Sequence, residues 1–142
     1  MAAPTDTFEF PRTGKKARNR AVVAAMTNKQ SNEDGTLSDE EINWLIRRAE
    51  GGFGIVTTAA THVVPEGQGW DGEMGVWGDH QLPGLTRLAT GINEHGAISL
   101  AQIFHGGMRC PQRLTGVQPV SASINATSDS DNGCLLYTSD AA

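Results

Sequence analysis

Apolar residues along the chain fall into discrete blocks that are separated by polar, glycine-containing segments. Residues 21–26 form a short, valine-rich apolar run, and residues 53–58 and 98–104 form two similar runs. Runs of this length, bounded by turn-forming residues, are typical of buried strands. The pattern therefore predicts three strands.

The segment between the first two runs has helical spacing instead. Its apolar stripe at i, i+3, i+4 and i+7 consists of Ile42, Leu45, Ile46 and Ala49. Ser38 and Glu41 precede the stripe as a capping box. In such a box the Ser38 hydroxyl accepts from the N–H of Glu41, and the Glu41 carboxylate reaches back to the N–H of Ser38. Gly51 and Gly52 are predicted to end this helix.

A second helix is predicted to begin at Pro83 and to end at Gly96. Its stripe has the same spacing and consists of Leu85, Leu88, Ala89 and Ile92. Gly91 lies inside the helix and should lower its stability by up to ~1 kcal/mol relative to alanine. Residues 62–79, before this helix, contain several glycines and are predicted to form a long loop.

The predicted order is β-α-β-α-β, in which helical crossovers connect parallel strands. A doubly wound sheet and a (β/α)8 TIM barrel both have this order. A doubly wound nucleotide-binding sheet is expected to have a glycine-rich turn directly after its first strand. Here no glycine follows residue 26 until Gly35, which favours the barrel. A barrel has about 250 residues, so an α/β chain of 142 residues would be truncated to roughly its first three β/α units.

Charge does not identify a partner. The formal net charge is −5, and no run of five or more like charges occurs. The basic cluster before the first predicted strand consists of Lys15, Lys16, Arg18 and Arg20. It lacks interleaved aromatic residues and a recognition helix, so a solvated turn is favoured over a phosphate or nucleic-acid contact. We expect no nucleic-acid partner.

Targeting signals and cysteine spacing suggest a cytoplasmic protein. No apolar run follows Met1, and no stretch approaches the ~20 apolar residues of a membrane span. Cys110 and Cys134 show neither zinc-site spacing nor a disulfide framework. We therefore expect a cytoplasmic location, without a membrane partner.

Polar groups follow each predicted strand, where the functional loops of a barrel lie. Gln102 is the most informative of them, because a carboxamide within an apolar strand must find a partner or cost ~1–3 kcal/mol. A carboxamide both donates and accepts, which suits a heterocycle with adjacent C=O and N–H edges. Residue chemistry alone leaves this interpretation open beside a bond from Gln102 to a neighbouring loop backbone.

Other candidates carry less information. His105 follows the third strand, where a structural role is favoured over acid–base chemistry. Thr27 ends the first strand, where its hydroxyl could equally cap the turn. The remaining histidines have no metal-ligand spacing, so we expect no metal site. No Gly-x-Ser-x-Gly elbow, phosphate-binding Walker loop or catalytic carboxylate pair occurs.

Several segments, in order and spacing, resemble the old yellow enzyme family of NAD(P)H:flavin oxidoreductases (the NADH:flavin oxidoreductase / NADH oxidase family). The resemblance extends over about residues 8–124. Its segments are residues 19–27, 34–41, 48–54, 61–69, 102–107 and 114–120. It implies the N-terminal part of an FMN-binding (β/α)8 barrel.

The resemblance also implies an activity and a cofactor site. The family transfers hydride from NADH or NADPH, through FMN, to an activated alkene such as an enone. By position, Ala25 and Met26 would line the flavin, and Thr27 would hydrogen-bond its carbonyl edge and tune its potential. Ala60 would offer a backbone contact, and Gln102 would bind the pyrimidine side of the ring. Family members usually have proline where this chain has Ala25.

The family's substrate-binding His/Asn pair, tyrosine proton donor and phosphate-binding loops are expected beyond residue 142, so no catalytic residue is assigned. Residues 1–133 are predicted to be the N-terminal barrel part. Residues 134–142 resemble one reading frame of a sequencing adapter and are predicted not to be native. Two alternatives stay open: an inactive fragment, and a phosphate-binding barrel enzyme without flavin.

Overall fold

The computed structural model describes residues 1–121 and 135–136. Its helices are α1 (Asp39–Glu50), α2 (Leu82–Glu94) and α3 (Gln112–Thr115). Its strands are β1 (Phe8–Glu9), β2 (Lys16–Ala17), β3 (Val22–Val23), β4 (Ile55–His62), β5 (Met74–Gly75), β6 (Ile98–Phe104), β7 (Val120–Ser121) and β8 (Leu135–Leu136). Short 3-10 turns occur at Pro65–Gly67, Asp79–Gln81 and Gly107–Arg109.

The central sheet is parallel and has β4 between β3 and β6. Val22 pairs with Ile55 in one ladder, and Ile55 pairs with Ile98 in the other. Helices α1 and α2 form the two crossovers, so the predicted β-α-β-α-β order is confirmed. The short strand β5 also pairs in parallel with the end of β4.

The predicted strands differ from the observed ones at their ends. The third agrees in both bounds, but the first contracts to β3, and the second extends to His62 as β4. His62 was predicted to begin a loop that instead contains β5 and two 3-10 turns. An apolar run shows which segment can be buried, whereas pairing partners determine where a ladder starts and stops.

Half of the predicted capping box on α1 is confirmed. The Ser38 hydroxyl accepts from the backbone N–H of Glu41, with Oγ and N 3.1 Å apart. The Glu41 carboxylate does not reach back to Ser38; it binds the segment after β3 instead. At the other end of α1, Gly52 rather than Gly51 adopts the left-handed conformation, with φ of 107°.

Helices α1 and α2 pack closely on one face of the sheet, and Gly91 permits the approach. A Cβ atom at Gly91 would lie 2.3 Å from Cδ1 of Ile46, which is shorter than any normal contact. Glycine is therefore favoured at position 91 by helix packing, which offsets its low helix propensity. The core lies between these helices and β4, with Ile42, Leu45 and Ile92 almost fully buried.

An N-terminal antiparallel hairpin, β1–β2, leads into the sheet, and the predicted basic turn lies partly within it. Arg18 is not solvated as predicted, because its guanidinium binds backbone carbonyls at two helix ends. It donates to Ala49 O and Phe53 O after α1 and to His95 O at the end of α2. Helix C-termini carry partial negative charge, so a cation is favourable there.

The far edge of the sheet is exposed and apolar. Strand β6 has β4 on one side, and its Leu100 and Ile103 side chains are 46% and 72% exposed. None of the helices in the described part of the chain is long and apolar enough to cross a membrane. Within the predicted adapter segment, only Leu135–Leu136 is described, and it pairs in parallel with β7; the origin of that segment stays a prediction.

Replacing Arg18 with methionine tests the link between the helix ends. Arg18→Met keeps much of the side-chain length but leaves three carbonyls without their donor. Water can reach most of these carbonyls, so in the complete protein that carries this chain we expect roughly 1–2 kcal/mol less stability in urea unfolding. Arg87→Met is the matched control, because Arg87 forms an exposed ion pair with Asp39 worth less than about 1 kcal/mol. Equal losses for the two variants would contradict the assigned role.

Candidate functional site

The carboxyl-terminal halves of β4 and β6 form an irregular ladder. The register is continuous from Ile55 to Thr57, then shifts, and resumes with Ala60 opposite Gln102. The shift places one additional residue in β4, which defines a β-bulge. Bulges re-aim side chains and are common beside functional sites.

The Thr58 hydroxyl replaces the ladder bond that the bulge removes. It accepts from the backbone N–H of Gln102, with Oγ1 and N 3.2 Å apart, and it donates to the Ala59 carbonyl at 2.7 Å. The buried side chain of Thr58 therefore holds the backbone of β6 at Gln102. This fixes the position of Gln102 relative to Ala60.

The carboxamide of Gln102 is exposed and hydrogen-bonds to no group in the described part of the chain. Both its donor and its acceptor capacity are thus available to a ligand, and the alternative bond to a loop backbone does not occur among those residues. Its neighbour Ala60 is 6% exposed and small, so it leaves space beside the carboxamide. This pair can hold a planar, polar ring such as a flavin.

The other predicted cofactor residues, Ala25, Met26 and Thr27, follow β3 in a segment without regular structure. Ala25 is half-buried, whereas Met26 is 52% exposed and Thr27 is exposed. The β3–β4 ladder directs this segment toward the same carboxyl end as Ala60 and Gln102. Unlike Ala60 and Gln102, these three residues have no strand partner. The apolar side chain of Met26 suits the face of a flavin ring, and the hydroxyl of Thr27 suits its polar edge.

His105 lies at the end of β6, as predicted, and has a local partner. Its Nδ1 accepts from the backbone N–H of Gly107 at 2.9 Å, so the ring closes the turn after the strand. The ring also packs against Gly67, where a Cβ atom would lie 3.0 Å from Cδ2 of His105. The structural interpretation of His105 therefore agrees with its contacts.

A buried polar cluster that the sequence pattern did not indicate lies behind the end of β4. The indole N–H of Trp77 donates to Nε2 of His62 at 3.0 Å, so the neutral ring carries its proton on Nδ1. That atom lies 4.0 Å from Oε2 of Glu73, too far for a hydrogen bond. His62 and Glu73 are 2% and 1% exposed. Among the described residues, His62 Nδ1 and Glu73 Oε1 lack a partner.

Burial dominates the protonation of both groups. It raises the pKa of Glu73 to about 7, and the backbone N–H groups of Gly69 and Trp70 oppose this only in part. It lowers the pKa of His62. The same cause raises the pKa of the buried Cys110 thiol, which disfavours the reactive thiolate. Near neutral pH His62 is therefore neutral, and Glu73 is close to the midpoint of its ionisation.

Glu73 should make the fold less stable as the pH rises. Its carboxyl group ionises near pH 4.5 when unfolded but near 7 when folded, so stability falls between these values and is level above them. Glu73→Gln removes this dependence. Denaturant unfolding measures the free energy of unfolding of both proteins. From pH 5 to pH 8 the difference between them should change by up to about 3 kcal/mol in favour of the variant.

Glu66→Gln is the control for this measurement, because Glu66 is exposed in the same segment. It should change stability only slightly, because its side chain is exposed. A Glu73→Gln difference that stays constant between pH 5 and pH 8 would contradict the raised pKa of Glu73.

Comparison with known proteins identifies the family of this chain. The sequence matches the NADH:flavin oxidoreductase / NADH oxidase family over residues 12–138. A Bacillus subtilis protein named "Probable NADH-dependent flavin oxidoreductase YqiG" is 39% identical over 126 residues, which are 89% of this chain. The chain spans 32% of the length of that relative.

Solved structures show the same architecture. A 2-naphthoyl-CoA reductase complex superposes with a TM-score of 0.87 at 28% identity, covering 95% of this chain and 22% of its own. The old yellow enzyme homologue from Zymomonas mobilis superposes with a TM-score of 0.81 at 25% identity, covering 93% of this chain and 38% of its own. These neighbours are TIM barrels, so the predicted barrel, of which this chain forms a part with four parallel strands in its described residues, is confirmed.

The superpositions and the matched range agree with one another. The chain belongs to the NADH:flavin oxidoreductase / NADH oxidase family.

Proposed function

We propose that the complete protein carrying this chain is an FMN-dependent oxidoreductase that reduces an activated, enone-like alkene with NADH or NADPH. The observation that carries the proposal is the carboxamide of Gln102, which has no partner among the described residues and lies beside Ala60 at the carboxyl end of the sheet. Family membership supports the choice of flavin over a barrel enzyme that binds phosphate alone.

Within this function the chain's residues bind and orient the cofactor. Gln102 would both donate to and accept from the pyrimidine side of the ring, and Ala60 would offer its backbone. Ala25 and Met26 would line the ring, and Thr27 would hydrogen-bond the carbonyl edge and tune the flavin potential. Bound FMN supplies the hydride-transfer chemistry, while the protein positions and tunes it.

The remaining parts of the site would come from outside this chain. We expect the groups that bind the small-molecule substrate and donate a proton beyond residue 142, as in longer members of the family. We also propose a cytoplasmic location, because Cys110 is a buried free thiol, as is usual in a reducing compartment.

Gln102→Met tests the cofactor site, because methionine keeps the volume of the side chain and removes its hydrogen bonds. Losing two bonds of about 1 kcal/mol each should weaken FMN binding by roughly tenfold to thirtyfold. Flavin fluorescence during titration of the apoprotein measures the change. Gln112→Met is the matched control, because Gln112 is an exposed glutamine of α3. Wild-type protein that neither retains nor regains FMN would refute the proposed function.

The second candidate function concerns the isolated chain, which would be a fragment without activity of its own. The exposed apolar edge at β6 supports this, because unpaired edges and apolar faces promote association. We expect the isolated chain to self-associate in analytical ultracentrifugation and to bind a hydrophobic dye. A monomer with a sharp cooperative thermal transition would contradict this expectation.

A further inference from the structure

The segment after β3 is tied to the start of α1 by one buried carboxylate. Glu41 is 0% exposed, and both of its oxygens accept hydrogen bonds. Its Oε1 accepts from Nδ2 of Asn28 at 2.8 Å, and its Oε2 accepts from the Ser31 hydroxyl. The two donors lie on either side of Lys29, so the carboxylate clamps the turn between them.

Helix α1 provides a suitable location for this charge. Glu41 lies in the first turn, where the backbone N–H groups give the helix end a partial positive charge. No lysine or arginine in the described part of the chain forms an ion pair with Glu41. A buried carboxylate without a cation is stable only when its hydrogen bonds are satisfied, so its two donors and the helix end explain its burial.

The clamped turn is irregular and depends on such contacts. Lys29 has a φ of 55°, in the left-handed region that non-glycine residues rarely adopt. The N–H of Ser31 donates to Gly72 O at 3.2 Å, and a Cβ atom on Gly72 would lie 2.6 Å from Lys29 O. No ladder or helix holds these residues. Besides the Ser31–Gly72 backbone bond, Gln30 donates to Asn28 Oδ1 and to Glu40 Oε1, at 3.4 and 3.3 Å. The bonds to Glu41 are the shorter side-chain bonds of the turn, and they hold it at two points.

We propose that Glu41 is a positioning residue for the flavin site: by holding Asn28 and Ser31, it fixes the location of the Thr27 hydroxyl. Thr27 immediately precedes Asn28, so a shift of the clamped turn moves its hydroxyl directly. Glu41 itself is fully buried. The inference rests on the proposed function, because it concerns how the cofactor is held and tuned.

Two substitutions test the hydrogen bonds of Glu41 separately from its charge. Glu41→Ala leaves Asn28 and Ser31 without acceptors and frees the turn. Glu41→Gln retains a carbonyl oxygen for Asn28 and presents an amide that donates to the Ser31 hydroxyl. We therefore expect glutamine to restore most of what alanine removes. Ser38→Ala is the matched control, because it weakens the same helix start without touching the turn.

The experiment measures FMN affinity and flavin reduction potential in the complete protein carrying this chain. Glu41→Ala should weaken FMN binding about tenfold and shift the potential in the same direction as Thr27→Val. In a double-mutant cycle the two shifts should not add, because both substitutions remove the same hydrogen bond to the flavin. Ser38→Ala should lower thermal stability and leave the potential unchanged.

Wild-type affinity and potential in a folded Glu41→Ala variant would overturn the inference, as would shifts that add fully to those of Thr27→Val. If Glu41→Ala does not fold, Asn28→Ala provides the same test. This substitution removes one of the two hydrogen bonds to Glu41 and leaves the bond from Ser31 in place. These outcomes differ from failure of the proposed function, in which the wild-type protein itself binds no FMN.

Discussion

The parallel pairing of β4 with β3 on one side and β6 on the other is the constraint on which the rest of the structure depends. Parallel neighbours cannot be joined by tight turns, so each junction requires a crossover, and α1 and α2 are those crossovers. Both helices must then cover the same face of β4. This requirement brings their axes together at Gly91 and their carboxyl ends to the guanidinium of Arg18.

The same pairing collects the candidate site at one end of the sheet. Strands that run in one direction deliver their following segments to a common edge, so residues far apart in sequence become neighbours there. The bulge in β4 then sets the register of Ala60 against Gln102. The segment after β3 has no such ladder, and the buried carboxylate of Glu41 holds it instead. A strand ladder thus holds Ala60 and Gln102, with help from the Thr58 hydroxyl, whereas side-chain hydrogen bonds to Glu41 hold the turn after β3.

Element type and order could be predicted from the sequence because they depend on periodicity, which each segment carries locally. Strand β6 and the start of α1 at Ser38 followed from such local signals. The carboxylate of Glu41 could not be placed in this way: its spacing from Ser38 fits a capping box, but a competing pair of donors lies ten or more residues earlier in the chain. His62 and Glu73 were missed for a similar reason, since their burial results from the path of a loop that has no periodic pattern. The roles of the five predicted cofactor residues stay predictions.

The close approach of α1 and α2 limits how this protein could be made more robust by engineering. Exchanging a helical glycine for alanine is a common route to higher stability, because alanine restricts the unfolded chain and favours the helix. At Gly91 the new methyl group would meet the side chain of Ile46, which must shift or change rotamer to admit it. A designer would therefore vary residues 46 and 91 together in any search for improved variants.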